Sequence, residues 1–434
     1  MSLRPALIAL ALAVPRVSAQ SPAPMQRLSP SWQAQWALRS RWATDQPFAR
    51  GATASPSWRV PSGQVDLPPF TDGTRVLMLH AAPKKLQSLD PATGQIQWEA
   101  PFTGLLEGPP QLASDRILCP LDGGRLALLD PASGAMRQLL RLPAWKPVGD
   151  EGAPLRPRML YPLKAGGLVV AGWHSPSTEP RPERSLFAFD AETGDLRWSA
   201  PLPSGSETHP LYHWNLVLTA GGGQATALRL ADGTPAWTTR LPRRSTLESA
   251  QVIGGRLLLR TTQDITALDA TTGQALWTLP LAESSLLLGS GDVLVLTATR
   301  GTFNPESFAM ALDARSGRVI WEKEAAGARL PWVQSGMVLV NDGDDLLSLD
   351  LLTGRERWRK ALGGALLAPL QPQGALVLAL HRAKGQARIS GFRVTDGGEA
   401  LLVPLQDRLG PGALLVGPQA LLVPLAEGGV AGYR

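Results

Sequence analysis

The sequence predicts an all-β fold, a β-propeller, on three observations: a motif that recurs along the chain, the near-constant interval between its copies, and a strand-and-turn grammar inside each interval. Leu89-Asp90-Pro91-Ala92-Thr93-Gly94, Leu129-Asp130-Pro131-Ala132-Ser133-Gly134 and Phe189-Asp190-Ala191-Glu192-Thr193-Gly194 open a series whose glycines continue at Gly233, Gly273, Gly317, Gly354 and Gly397. Most of these glycines stand about 40 residues apart, a period of the kind that marks propellers and solenoids. Tryptophan follows four positions later as Trp98, Trp198, Trp237, Trp277, Trp321 and Trp358, with Gln138 and Leu401 in the two remaining repeats.

Within a repeat the residue types give the elements in order. Met337-Val338-Leu339-Val340 and Leu346-Leu347-Ser348-Leu349-Asp350 read as apolar strands, Thr353-Gly354 as a turn and Glu356-Arg357-Trp358-Arg359 as a further strand. Glycine suits a turn position with positive φ, and the Asp and Thr or Ser before it can bind turn amides that the ladder leaves free. Arg229 and Arg393 replace that Asp in the fourth and eighth repeats, whose turns read Asp232-Gly233 and Asp396-Gly397, so the capping role is expected to pass to the residue before glycine. One such sheet cannot cover both its faces, so sheets must stack, and a Trp ring at a fixed place in each sheet can fill the space between neighbours. The repeated tryptophans are therefore assigned to the fold.

Nine segments read as the third strand of a sheet, the last of them near Tyr433 with no turn motif after it. Ser57-Trp58-Arg59-Val60 is expected to close the ring by pairing with Val430 to Tyr433, so that both ends of the chain share one blade. The literal count permits nine blades, and eight are expected from the family described next.

The pattern Asp-x-x-Thr-Gly-x-x-x-Trp resembles the tryptophan-docking repeat of pyrroloquinoline quinone (PQQ)-like propellers, the fold shared by quinoprotein dehydrogenases and BamB-type outer-membrane assembly factors. The resemblance runs over about residues 57–434. It implies a closed propeller whose function belongs either to a noncatalytic BamB-like scaffold or to a PQQ- and calcium-dependent oxidoreductase. Members of the second class generally are longer, and many carry an adjacent cysteine pair. Cys119 is the single cysteine here, and its apolar setting reads as a buried, inert thiol. The expectation is accordingly no enzyme, no cofactor and no metal site.

Composition limits the partners. Gly 44, Pro 39 and 18% charged residues suit short strands and tight turns, and a formal charge of +6 spread without a basic block gives no support to nucleic-acid binding. Residues 1–19 carry Arg4, an apolar run from Ala6 to Val14 and Val17-Ser18-Ala19, the pattern of a signal peptide. No later stretch approaches the roughly 18 apolar residues of a membrane helix. A monomer in the periplasm or outside the cell, without a lipid-anchor cysteine, is expected, a scaffold with envelope or extracellular proteins or an envelope polymer as partners.

Residues 20–56 are rich in Pro, Ser, Ala and Gln, and Trp32 and Trp36 would share a face of a short helix there. The long interval between Gly134 and Gly194 marks an insertion with Arg156, Arg158, Arg181 and Arg184 in loop-like sequence. Loops on a rigid scaffold commonly carry binding, so these six residues are the expected partner surface. His209 and His213 have the spacing of helical metal ligands, but Pro210 lies between them, and they are not counted as a metal site. No nucleophile elbow, phosphate-binding glycine loop or paired-cysteine motif occurs.

Overall fold

In a computed structural model, the described residues run from 56 to 433 except 62–68, 72–73, 82–83, 105, 109, 114, 144–157, 175–184, 203–207, 242–245, 282–283, 285–286, 302–305, 327–330, 411–414 and 417–419. They form nine antiparallel sheets and no helix. Eight sheets have four strands; the third has five because its first strand is split into Arg158–Met159 and Leu163–Ala165. The literal repeat count of nine is thus the one the ring adopts, not the eight of the family norm.

Blades are numbered here in chain order from Phe70. In blade 4 the chain passes through Leu211–His213, Leu216–Gly221, Gln224–Arg229 and Pro235–Arg240, each strand pairing with the one before it. The second strand is buried at every position, because sheets stack against both of its faces, which is why such strands read as unbroken apolar runs. The fourth strand alternates: in Ile96–Pro101 only Trp98 and Ala100 are buried.

The core is a series of seams. Nine apolar clusters each join two successive sheets, such as Leu86, Trp98, Ile117 and Cys119 between blades 1 and 2. The series closes on itself, since Val76, Met78 and Leu89 of blade 1 pack on Leu422 and Val430 of blade 9.

The turn chemistry follows the sequence. Asp90 Oδ1 accepts from the backbone amides of Ala92 and Thr93, and Gly94, at φ 70°, donates back to the Asp90 carbonyl. In blades 4 and 8 the cap has moved as expected: Asp232 accepts from the Thr234 amide and Asp396 from the Gly398 amide. The tryptophans dock across seams, Trp198 Nε1 donating to the Leu230 carbonyl at 2.7 Å and Trp358 Nε1 to that of Val394 at 2.9 Å. Each ring lies over the next turn's glycine, so a β-carbon at Gly233 would stand 2.6 Å from Trp198 Cε3.

Closure is as the sequence implies. Trp58 pairs with Gly432, Arg59 with Ala431 and Val60 with Val430, and the Trp58 ring covers Gly94 of blade 1. Asp407 ties the junction, accepting from the Tyr433 hydroxyl at 2.7 Å and from Arg59 at 2.6 Å.

Candidate interaction face at the insertion

Strand order fixes which loops share a face. In an antiparallel blade, the turns between first and second and between third and fourth strands lie at one end. The hairpin between second and third strands and the connection to the next blade lie at the other. The insertion of blade 3 uses this second end twice: residues 144–157 lead into Arg158, and residues 175–184 leave from His174. Arg158 and His174 are direct partners in the ladder, as are Met159 and Trp173. The residues to which the two segments attach therefore lie at the same corner of one sheet.

Beside that corner, connections of three successive blades are tied together. The Met159 amide donates to Glu107 Oε2 at 3.1 Å, and the Glu107 amide donates to the Pro120 carbonyl at 2.9 Å. The Tyr161 amide donates to His209 Nδ1 at 3.0 Å, and the two rings stack at 3.8 Å and 21°. A nitrogen that accepts carries no proton, so this bond selects the imidazole with its proton on Nε2. The approach of Tyr161 requires glycine at 108, where a β-carbon would lie 2.8 Å from the ring. Met159 and Tyr161, just after Arg158, are thereby tied to the neighbouring connections.

This corner also borders the one seam, among blades 1 to 7, whose docking position holds no tryptophan. Gln138 takes that place, and its Nε2 donates to the Glu192 carbonyl. At the insertion end of this seam Trp173 of the facing blade is buried against Leu142 and Gly124 and donates to the Pro143 carbonyl at 3.0 Å. Ion pairs Arg116–Glu192 at 2.9 Å and Lys164–Asp115 at 2.9 Å stitch the same seam at the opposite end. The Asp115 carboxyl is held below its ordinary range: burial opposes this, and the Lys164 hydrogen bond and charge outweigh it.

Of the residues singled out in the sequence, Arg158 lies in a short strand, and Trp32, Trp36, Arg156, Arg181 and Arg184 lie outside the described residues. His209 and His213 are not brought together on one site, since His209 stacks on Tyr161 and His213 meets Trp214 edge-on at 6.3 Å. No signal in the sequence joins Glu107 to Met159 or Tyr161 to His209. Their contacts span 52 and 48 residues.

Among the described residues, no three or more His, Cys, Asp or Glu side chains group so as to hold a metal ion. Cys119 is buried and its thiol pKa is pushed far up by that burial, which suppresses the reactive thiolate. No helix among the described residues is long and apolar enough to cross a membrane.

The sequence matches the family described as outer membrane protein assembly factor BamB over residues 44–175, 160–286 and 306–433. No curated protein sequence matches it. Among solved structures it is similar to BamB from Moraxella catarrhalis, at 18% identity and a TM-score of 0.51 over 88% of this chain and 97% of that one. It is also similar to the computationally designed Ika8 protein, at 15% identity and a TM-score of 0.52 over 78% and 99%. The quinohemoprotein alcohol dehydrogenase from Comamonas testosteroni is similar at 13% identity and a TM-score of 0.52, over 91% of this chain and 85% of that one. At such identities the likeness to solved structures is one of fold, and it spans catalytic and noncatalytic proteins alike.

Proposed function

The chain belongs to the BamB family of PQQ-like propellers, and from that premise we propose that it is an exported, noncatalytic scaffold that holds envelope or extracellular proteins through the insertion of blade 3. The observation that carries this reading is the Arg158–His174 pairing, which sets the residues to which both segments of the insertion attach at one corner of one sheet. The repeated Asp, Gly and Trp residues support it from another side. They are engaged in turns and seams, which leaves chemical diversity to the connections. In this reading residues 1–19 are a signal peptide, residues 20–56 precede a single propeller domain, and Trp32 and Trp36 add a second contact to Arg156, Arg158, Arg181 and Arg184.

Crosslinking of the tagged protein in its native envelope tests the proposal. Changing the four arginines to Ser, or Trp32 and Trp36 to Ala, is expected to reduce capture of the same partner while the propeller stays folded. Unchanged capture by both variants overturns the surface. Alcohol- or sugar-dependent dye reduction after addition of PQQ and calcium overturns the noncatalytic assignment.

A further inference from the structure

A second site stands on the opposite face, at the turn between the first and second strands of blade 4. Six blades make this turn with two residues, and the leading residue is left-handed in each: Gly166 at φ 54°, Trp214 at 42°, Gly254 at 55°, Gly291 at 61°, Ser335 at 48° and Gly374 at 55°. Glycine adopts this backbone freely and a bulky residue does not. Blade 4 alone among them places an indole there. Asn215, next in the turn, is also left-handed at 60°.

The fold covers little of the ring in return. Trp214 is 79% exposed, whereas the docking Trp198 is 7% exposed. Strain held at an exposed aromatic residue points to a role outside the folded chain. The surroundings indicate its chemistry. Tyr212 is exposed, and its hydroxyl donates to Asn215 Oδ1 at 3.4 Å. His213 stands edge-on to the indole at 85°, and burial lowers its pKa, which favours the neutral ring. The tip thus offers one convex aromatic face flanked by a phenol, a carboxamide and an imidazole, with no formally charged side chain between Leu211 and Leu216.

We propose that the Trp214 turn binds neutral pyranose rings of an envelope polysaccharide. The C–H face of a sugar matches the indole, and hydroxyl or acetamido groups match Asn215 and the Tyr212 hydroxyl. A protein pocket would be better met by an anchor ringed with apolar contacts. Here the corresponding turns of blades 3 and 5 are Gly166-Gly167 and Gly254-Gly255. The site shares no residue with the insertion face, so either assignment can fail without the other.

Titration of the full chain with chitohexaose, cellohexaose and maltohexaose, followed by calorimetry, tests the proposal. At least one sugar is expected to bind saturably, with affinity reduced about tenfold or more in W214A and less in N215A and Y212F. W214G is expected to melt no lower than the parent, because glycine relieves the left-handed backbone. Absence of binding by all three sugars, or full affinity in W214A, overturns the proposal. So does a marked fall in the melting temperature of W214G, which would assign the ring to the fold, or a requirement for Trp214 in capturing a protein instead of a glycan.

Discussion

Docking of Trp198 on Gly233 can be tested by breaking each side separately and then both. Trp198→Ala removes a ring that is 7% exposed and a 2.7 Å hydrogen bond to the Leu230 carbonyl; losses of this kind cost about 3 to 5 kcal/mol. Gly233→Ala places a β-carbon 2.6 Å from the indole at φ 72°. It carries a left-handed penalty of about 1 to 2 kcal/mol and an overpacking penalty of about 1 to 3 kcal/mol. With the ring gone, only the backbone penalty remains. The double variant should therefore be less destabilised than the sum by about 1 to 3 kcal/mol. Gly194 is a built-in control: it has φ 79°, but with Gln138 in place of a docking Trp its nearest neighbour would be Leu140 Cδ2 at 3.2 Å. Gly194→Ala should show little beyond the backbone penalty. Urea titrations followed by circular dichroism and fluorescence give the four free energies. Additivity to within about 0.5 kcal/mol, or equal costs at Gly194 and Gly233, would refute the docking argument.

Other perturbations reach other parts of the ring. His381 is 1% exposed beside Ser390, and burial, then the charge of Arg388, lower its pKa to about 4 from 6.5. Because the folded value lies below the unfolded one, the stability from this residue is complete above about pH 6.5 and is lost as pH falls towards 4, by roughly 3 kcal/mol. His381→Gln should flatten the pH dependence of the urea midpoint across that window. Asp130 and Asp350 are held at about 2, first by Arg137 and Arg357 respectively, so a further loss is expected between about pH 4 and 2, weakened in Arg137→Ala with Arg357→Ala. Tyr433→Phe removes the bond to Asp407 and should lower stability by about 1 to 2 kcal/mol. Deleting residues 430–434 opens a sheet edge and should lower the melting temperature far more.

What the sequence conveyed was whatever the repeats share. Asp90, Gly94 and Trp98 could be assigned roles because the same demands recur in other blades, and even the displaced caps Asp232 and Asp396 follow from the unchanged need to satisfy a turn amide. Nine blades instead of eight follows from counting third strands literally, since blade 9 lacks the turn motif only because its fourth strand is supplied by Trp58–Val60. Features unique to one seam were illegible. Gln138 marks a missing ring, but nothing in its repeat points to its bond with the Glu192 carbonyl or to Trp173 packed at the other end of the same seam. Trp214 reads in sequence as one more apolar residue beside a strand; its φ and exposure are what set it apart. Five of the six expected partner residues, Trp32, Trp36, Arg156, Arg181 and Arg184, fall in segments 20–56, 144–157 and 175–184, where the repeat has no counterpart to lend them a position.

Ring closure also orders events in time. During synthesis Trp58–Val60 leaves the ribosome before any blade, yet its ladder partners, Val430–Tyr433, leave after all of blades 1 to 8. Blades 1 to 8 can form from neighbouring segments as the chain lengthens, whereas blade 9 must wait for both ends to meet. Until then Val76, Met78 and Leu89 on blade 1 have no apolar cover from blade 9. A nascent chain is therefore adhesive at its oldest end until synthesis is complete, and a chaperone that shields blade 1 should raise the yield of closed rings more than one that binds any later blade.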